Sequence, residues 1–231
     1  MSYNKLKALV ANVEAIETAM QIHLQGRQAT PKEKEILSLY SGFGGIKEVL
    51  NIGTDKPIGG DMTEPIQKLQ ELIDTYPHFT EPMRHNVMEA VKASVLTAFY
   101  TPKFLVDAVA KQIHTTFKDN GLQMRSFLEP SAGIGGFLPV AMSNTYDYAI
   151  EKDPISGLIL SLLHDNTVIR TTEFETIDEQ GFEHTKFDVI APTSLSVTSV
   201  CSMRNSGRKA AYTSRLPRPY TITFSSRLWN F

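Results

Sequence analysis

Over residues 4–24 the apolar positions Leu6, Leu9, Val10, Val13 and Ile16 recur at spacings of three and four, which draws an apolar stripe along one face of a helix. A second helix opens at Thr30-Pro31-Lys32-Glu33, where a capping hydroxyl, a proline in the first turn and a glutamate three residues on combine. Thr63 and Thr80 each precede a further helical pattern, with Pro65 and Pro82 in the first turns. The first hundred residues read as mainly helical. Another helix begins at Thr101-Pro102 and runs to about Lys118, its inner face formed by Leu105, Val106, Val109 and Ile113. Beyond it the texture changes, with short apolar runs at 126–129, 146–151, 167–170 and 187–190 and helical patterns at 135–142 and 154–164. Such alternation predicts an α/β fold with a largely parallel sheet, in which ligands sit at the carboxyl ends of the strands.

A chain of 231 residues with 42% hydrophobic and 21% charged positions has enough apolar material for a sizeable core. Its net charge of −2 conceals a split: residues 1–190 carry −8, whereas 191–231 carry +6, with six Lys/Arg, no Asp or Glu and 13 Ser/Thr. Two differently composed segments therefore meet near position 191. The single cysteine, Cys201, forms no internal disulfide and suits a reducing compartment. A polar start and the lack of any run of 18 apolar residues argue against a signal peptide and a membrane span, so the expected location is cytoplasmic. The histidines His23, His78, His85, His114, His164 and His184 form no H-x-H or H-E-x-x-H pair, and no metal is expected.

The chemistry concentrates at Phe127-Leu128-Glu129-Pro130-Ser131-Ala132-Gly133-Ile134-Gly135-Gly136-Phe137, a strand running into a glycine-rich turn expected to open a helix. Gly133 and Gly135 leave no Cβ to block a ligand, and a helix start offers free N–H groups. Glu151 ends the next strand 18 residues after Gly133, a place from which a carboxylate accepts hydrogen bonds from both hydroxyls of a ribose. A dinucleotide site would have a third glycine where Leu138 stands. Glu129, directly before the turn, instead suits a ligand bearing a cationic ammonium or sulfonium. These features point to S-adenosylmethionine as the cofactor.

The same residues resemble a known family. Phe99-Tyr100-Thr101-Pro102 is similar to the F-Y-T-P motif that precedes the cofactor turn in adenine-N6 DNA methyltransferases, and 127–137 resembles their E-P-S/A-x-G-x-G-x-F cofactor motif. Ala149-Ile150-Glu151-Lys152-Asp153-Pro154 resembles their ribose-binding motif, and Glu173-Phe174 their acidic contact to the adenine ring. Tyr40-Ser41-Gly42-Phe43-Gly44-Gly45-Ile46 follows a helical pattern and is similar to a segment preceding the methylase domain in large methylase–helicase proteins of phages and conjugative elements. It is expected to pack against the methylase domain, without a catalytic role. The resemblance implies a Rossmann-like methyltransferase fold, DNA as partner, and a cofactor site made of Tyr100, Thr101, Pro102, Glu129, Pro130, Ser131, Ala132, Gly133, Gly135, Phe137, Glu151, Lys152 and Glu173.

In that family a further motif follows the fourth strand: Asn, Asp or Ser, then Pro or Ile, then Pro and an aromatic. Its amide orients the target amino group, and its aromatic residue stacks on the flipped base. Here Phe187-Asp188-Val189-Ile190 is followed by Ala191-Pro192-Thr193-Ser194, which supplies neither, so no catalytic residue is assigned. Codons for residues 193–198, read one base earlier, admit Asn, Ile, Pro, Phe, Gly and Asp. The segment from about 191 onward therefore reads as a frameshifted tail, with a basic arm contacting nucleic-acid phosphates as the alternative. The expected organisation is a helical region 1–95, the cofactor half of an incomplete methyltransferase domain 96–190, and a non-native or disordered tail 191–231. Ending the sheet at 187–190 would leave an unpaired apolar edge prone to self-association. The alternative function is a non-catalytic nucleotide- or DNA-binding module; a nucleotide-dependent oxidoreductase is disfavoured by Leu138.

Overall fold

The computed structural model describes residues 4–98, 100–174, 187–191 and 220–221. Phe99 and the tail residues 192–219 and 222–231 lie outside the described residues. Asn4 caps the first helix, α1 (Lys5–Leu24), its side chain accepting the N–H of Lys7 at 3.0 Å. Leu9, Val13 and Ile16 of the expected stripe are buried, but Val10 is 46% exposed and Asn12 is buried in full. Helix α2 (Pro31–Leu37) starts with the expected capping box: the N–H of Thr30 donates to Glu33 at 2.8 Å while that of Glu33 donates to the Thr30 hydroxyl. Helices α3 (Thr63–Thr75) and α4 (Glu81–Thr97) follow, α4 running past the 95/96 boundary, and α5 is Lys103–Asp119.

The sheet is parallel. Strands β1 (Ser126–Pro130), β2 (Tyr146–Glu151), β3 (Val168–Thr171) and β4 (Val189–Ile190) stand in the order β3-β2-β1-β4. The pairs Pro130↔Ile150, Glu151↔Thr171 and Leu128↔Ile190 bring the carboxyl ends of these strands to one edge. Chain progression reverses at β1, since β2 and β3 lie on one side of it and β4 on the other. The crevice above such a reversal is where open α/β sheets hold ligands. Phe127 and Ala149 turn to the α5 side, packing with Val106, Ile113 and Phe117, while Leu128, Ile150 and Phe187 cluster on the opposite face.

Helix α6 (Pro154–Leu163) joins β2 to β3, and its sequence Ile-Ser-Gly-Leu-Ile-Leu is apolar nearly all round. A helix of that kind must be covered on more than one side. Leu160 packs into the sheet cluster, whereas Ile155 and Ile159 belong to the core formed by α1–α4. The helical region and the sheet thus share α6 as a common layer. Gly157 allows the close approach of α6 to β3, because a Cβ there would lie 2.6 Å from the Thr171 hydroxyl oxygen and 2.8 Å from its methyl carbon.

Two expectations are corrected. No α-helix forms over 135–142; the glycine turn passes into a single 3-10 turn, Leu138–Val140. Gly135 at φ +85 and Pro139 prevent the regular i→i−4 ladder, and Asn144 at φ +66 ends the segment before β2. The layer space is filled instead by α5, which packs on this turn through Ile113 and Phe117 against Leu138 and Val140. The outer edge of β4 is also not bare: β5 (Tyr220–Thr221) pairs with it in parallel, in the register Val189↔Tyr220 and Ile190↔Thr221. An open strand edge presents unpaired N–H and C=O groups, and Tyr220 and Thr221, an aromatic and a β-branched residue, are of the types that favour strands. Among the described residues no helix is long and apolar enough to cross a membrane.

Replacing Gly157 by Ala should lower stability by about 1–3 kcal/mol through overpacking of α6 on β3. Adding Thr171→Ala, which removes the two nearest atoms, should recover part of the loss in urea unfolding, whereas Thr171→Ala alone should not stabilise.

Candidate functional site

The turn after β1 is built from unusual backbone. Ser131 (φ +57) and Gly133 (φ +57) both lie in the left-handed region, where glycine is at ease and serine is not. The N–H of Ala132 donates to the carbonyl of Ile150 at 2.8 Å, and that of Gly133 donates to Glu151 Oε2 at 2.6 Å. Glu151 Oε1 accepts from the N–H of Asp153 at 2.8 Å. One carboxylate therefore fixes both the turn after β1 and the start of α6. A carboxylate oxygen accepts more than one hydrogen bond, so a group held this way can also meet a ligand donor.

Above these groups lies a cleft of about 800 Å³. Of the residues expected in a cofactor site, the structure brings Tyr100, Thr101, Ser131, Ala132, Gly133, Phe137, Glu151 and Lys152 together on its wall. Pro102, Glu129, Pro130, Gly135 and Glu173 are not among the lining residues. Pro102 stands at the N-cap of α5, and Pro130 ends β1. Glu129 points into the fold, where its Oε1 accepts the N–H of Phe137 at 2.9 Å, and its Oε2 has no partner. Glu173 forms an ion pair with Lys152 at 2.5 Å, on exposed side chains where such a pair contributes little to stability.

The glycine reading needs correction as well. A Cβ at Gly133 would meet the ring of Tyr100 at 2.6 Å, and one at Gly135 would meet His164 Nε2 at 2.6 Å and Leu138 at 2.7 Å. These positions are glycine because protein atoms crowd them, before any ligand is considered. His164 adds to the same turn, its Nε2 donating to the carbonyl of Ile134 at 3.0 Å, and burial pushes its pKa down, keeping the ring neutral.

Sequence reasoning missed part of the cleft. Tyr40 and Gly42, from the loop read as packing only, line it, as do Asp153 and Ser156 from the start of α6. Helix α4 contributes Ala90, Ala93, Ser94 and Thr97. These small side chains recur at three- and four-residue spacing, a pattern visible in the sequence and compatible with a surface left open to something else. Tyr40 and Tyr100 are both driven well above the usual phenol range, chiefly by burial, with hydrogen bonding to Ser156 opposing the shift in each.

Charge on this wall is mostly acidic. Burial raises the carboxyl pKa of Glu151 in spite of the N–H bonds from Asp153 and Gly133 that oppose it. Asp153 is raised for the same reason, although its Oδ1 accepts the N–H of Ser156 at 2.6 Å. Behind them Glu129 is pushed up to about 8, first by burial and last by the nearby Glu151 charge. A ligand that donates hydrogen bonds, or carries a positive centre, would offset this concentration of carboxylates. Neither the protein-family models nor the curated proteins contain a match to this chain.

Glu129 generates a pH dependence with a definite sign. Its carboxyl moves from an ordinary 4.5 to about 8, so between those values the folded chain holds a proton that the unfolded chain has released. Its contribution to stability is complete below 4.5 and is lost as pH rises toward about 8. Glu129→Gln keeps an acceptor for Phe137 and cannot ionise. Urea midpoints measured at about pH 5 and pH 8 should therefore differ less in the variant than in the parent.

Proposed function

We propose that the cleft binds S-adenosylmethionine and that the chain is the cofactor-holding part of an adenine-N6 DNA methyltransferase. The observation that carries this reading is Glu151, at the carboxyl end of β2, holding the Gly133 turn of the neighbouring strand on the wall of a cleft large enough for a nucleoside ligand. A carboxylate in that place accepts the two vicinal hydroxyls of a ribose, which is the contact the ribose-binding motif provides in the family it resembles. Tyr100 and Thr101 of the F-Y-T-P element line the same cleft, which supports the resemblance at a second point. The sheet order β3-β2-β1-β4 is compatible with a Rossmann-like methyltransferase domain. The acidic wall favours the sulfonium of S-adenosylmethionine over the pyrophosphate of a dinucleotide.

Methyl transfer asks for more than cofactor binding. Adenine N6 is a weak nucleophile, and it must be held in line with the sulfonium methyl while charge develops. The sequence Ala191-Pro192-Thr193-Ser194 after β4 has neither the amide acceptor nor the stacking aromatic that perform this in the family. We read the segment from about 191 onward as a frameshift product. DNA is then a partner of the intact relative, and this chain holds cofactor without transferring its methyl group. The same missing motif favours one second reading, a nucleotide-binding module that never was catalytic.

Calorimetry on the full chain should show binding of S-adenosylmethionine and of its demethylated product, with no binding of a nicotinamide dinucleotide. Glu151→Ala should weaken the adenosyl ligand at least about tenfold, as expected for loss of a charge-assisted hydrogen-bond acceptor. Tritium transfer to DNA should be undetectable. A folded chain that prefers the dinucleotide, or binds neither, would overturn the cofactor reading, and measurable methylation would overturn the assignment of the tail.

A further inference from the structure

Among the described residues four buried side chains are polar: Glu129, Glu151 and Ser156 on the sheet side, and Asn12 in the helical region. Asn12 sits on the inner face of α1 among Leu9, Val13 and Ile16, where an aliphatic side chain would have continued the stripe. A buried amide is tolerated when its donors and acceptors are matched. Its Nδ2 donates to the Gly42 carbonyl at 2.6 Å and its Oδ1 accepts from the Ser41 N–H at 2.8 Å. One side chain thus holds successive backbone groups of a loop about thirty residues away.

That loop bears directly on the cleft. Gly42 has φ +67, and a Cβ on it would lie 2.6 Å from the Ala98 side chain and 3.3 Å from Cε2 of Tyr100. The Tyr100 ring also presses on Gly133, where a Cβ would lie 2.6 Å from Cε1. The ring fills the space between a glycine of the helical region and a glycine of the turn after β1. Gly133 is in turn held by Glu151. An unbroken run of contacts therefore leads from Asn12 through Ser41 and Gly42, Tyr100 and Gly133 to the carboxylate on the cleft wall.

We propose that Asn12, which does not line the cleft, is a positioning residue for it: by fixing the 41–42 backbone it seats the Tyr100 ring against the Gly133 turn and so sets the geometry in which Glu151 meets a ligand. The identity of that ligand rests on the adenosyl reading above; the coupling between loop and turn does not.

Adjacency alone does not establish coupling, so the test measures it. Amide hydrogen exchange of the full chain, followed by mass spectrometry, compares the parent with Asn12→Ala and with Val13→Ala. The second change opens a cavity in the same core and removes no hydrogen bond to the loop. Asn12→Ala should speed exchange about tenfold both at 40–46 and at 131–137, the effect of leaving two buried backbone partners unmatched. Val13→Ala should leave both segments near the parent rate. Affinity for S-adenosylhomocysteine should fall with Asn12→Ala by a similar factor and hold with Val13→Ala. Faster exchange confined to 40–46, or an equal effect of Val13→Ala on 131–137, would overturn the proposal. Should Asn12→Ala fail to fold, Gly42→Ala, which strains φ and pushes on Ala98 and, behind it, on Tyr100, takes its place with the same two segments as readout. A folded parent that binds no adenosyl ligand would sink the adenosyl reading, and the exchange comparison would still decide the role of Asn12.

Discussion

The carboxylate of Glu151 bridges two neighbouring strands where the backbone ladder between them runs out. Parallel pairing stops at Pro130↔Ile150, and beyond it a single backbone bond, from the Ala132 N–H to the Ile150 carbonyl, reaches a turn that runs through left-handed conformations. By accepting the Gly133 and Asp153 N–H groups, the carboxylate extends this tie by one residue and joins the turn to the N-cap of α6. The cleft exists because these three pieces keep their mutual distance. The Tyr100 ring meets this frame at Gly133, and the 40–42 loop, held from behind by Asn12, meets the other side of the same ring.

Holding the turn in this way concentrates acid in a poorly solvated place. Glu129 and Asp153 serve the same structural end as Glu151, each accepting a backbone N–H, from Phe137 and Ser156 respectively. Burial raises the affinity of all three carboxyl groups for protons, with lesser contributions from the Glu151 charge at Glu129 and from the Asp153 charge at Glu151. The cation nearest the cleft, Lys152, is already engaged with Glu173. Scaffold and ligand preference therefore arise from the same atoms: the groups that shape the turn leave behind a field that favours donors and positive centres.

How much of this was legible beforehand follows from the range of the interactions. The strand ends, the capping box at Thr30 and Glu33 and the position of Glu151 depend on near neighbours, and residue order exposes them. Glycine at 133 was legible as special, but its reason was not, since the crowding atom belongs to Tyr100, 33 positions away in sequence. The exchange of Val10 for Asn12 on the buried face of α1 escaped periodicity because the partner of Asn12 is a backbone loop, which leaves no complementary side chain to notice. The helix expected over 135–142 failed for a local reason, Gly135 and Pro139, that the apolar pattern outweighed in the reading. Pairing of Tyr220–Thr221 on β4 is the longest-range feature of all, and nothing short of the folded sheet could reveal it.

Helix α6, covered on one side by the sheet and on the other by α1–α4, also bears on how the chain is made. A ribosome delivers the helical region first, and its inner face stays without Ile155 and Ile159 until some sixty further residues have emerged. The first four helices cannot complete their core on their own during synthesis, and the sheet cannot bury Leu160 until α6 has formed. Both halves must wait for the same ten residues. Closure of the two cores is then a single late event with long loops to draw in, slow in the way that non-local contacts are slow, and α6 is the element on which nascent-chain folding turns.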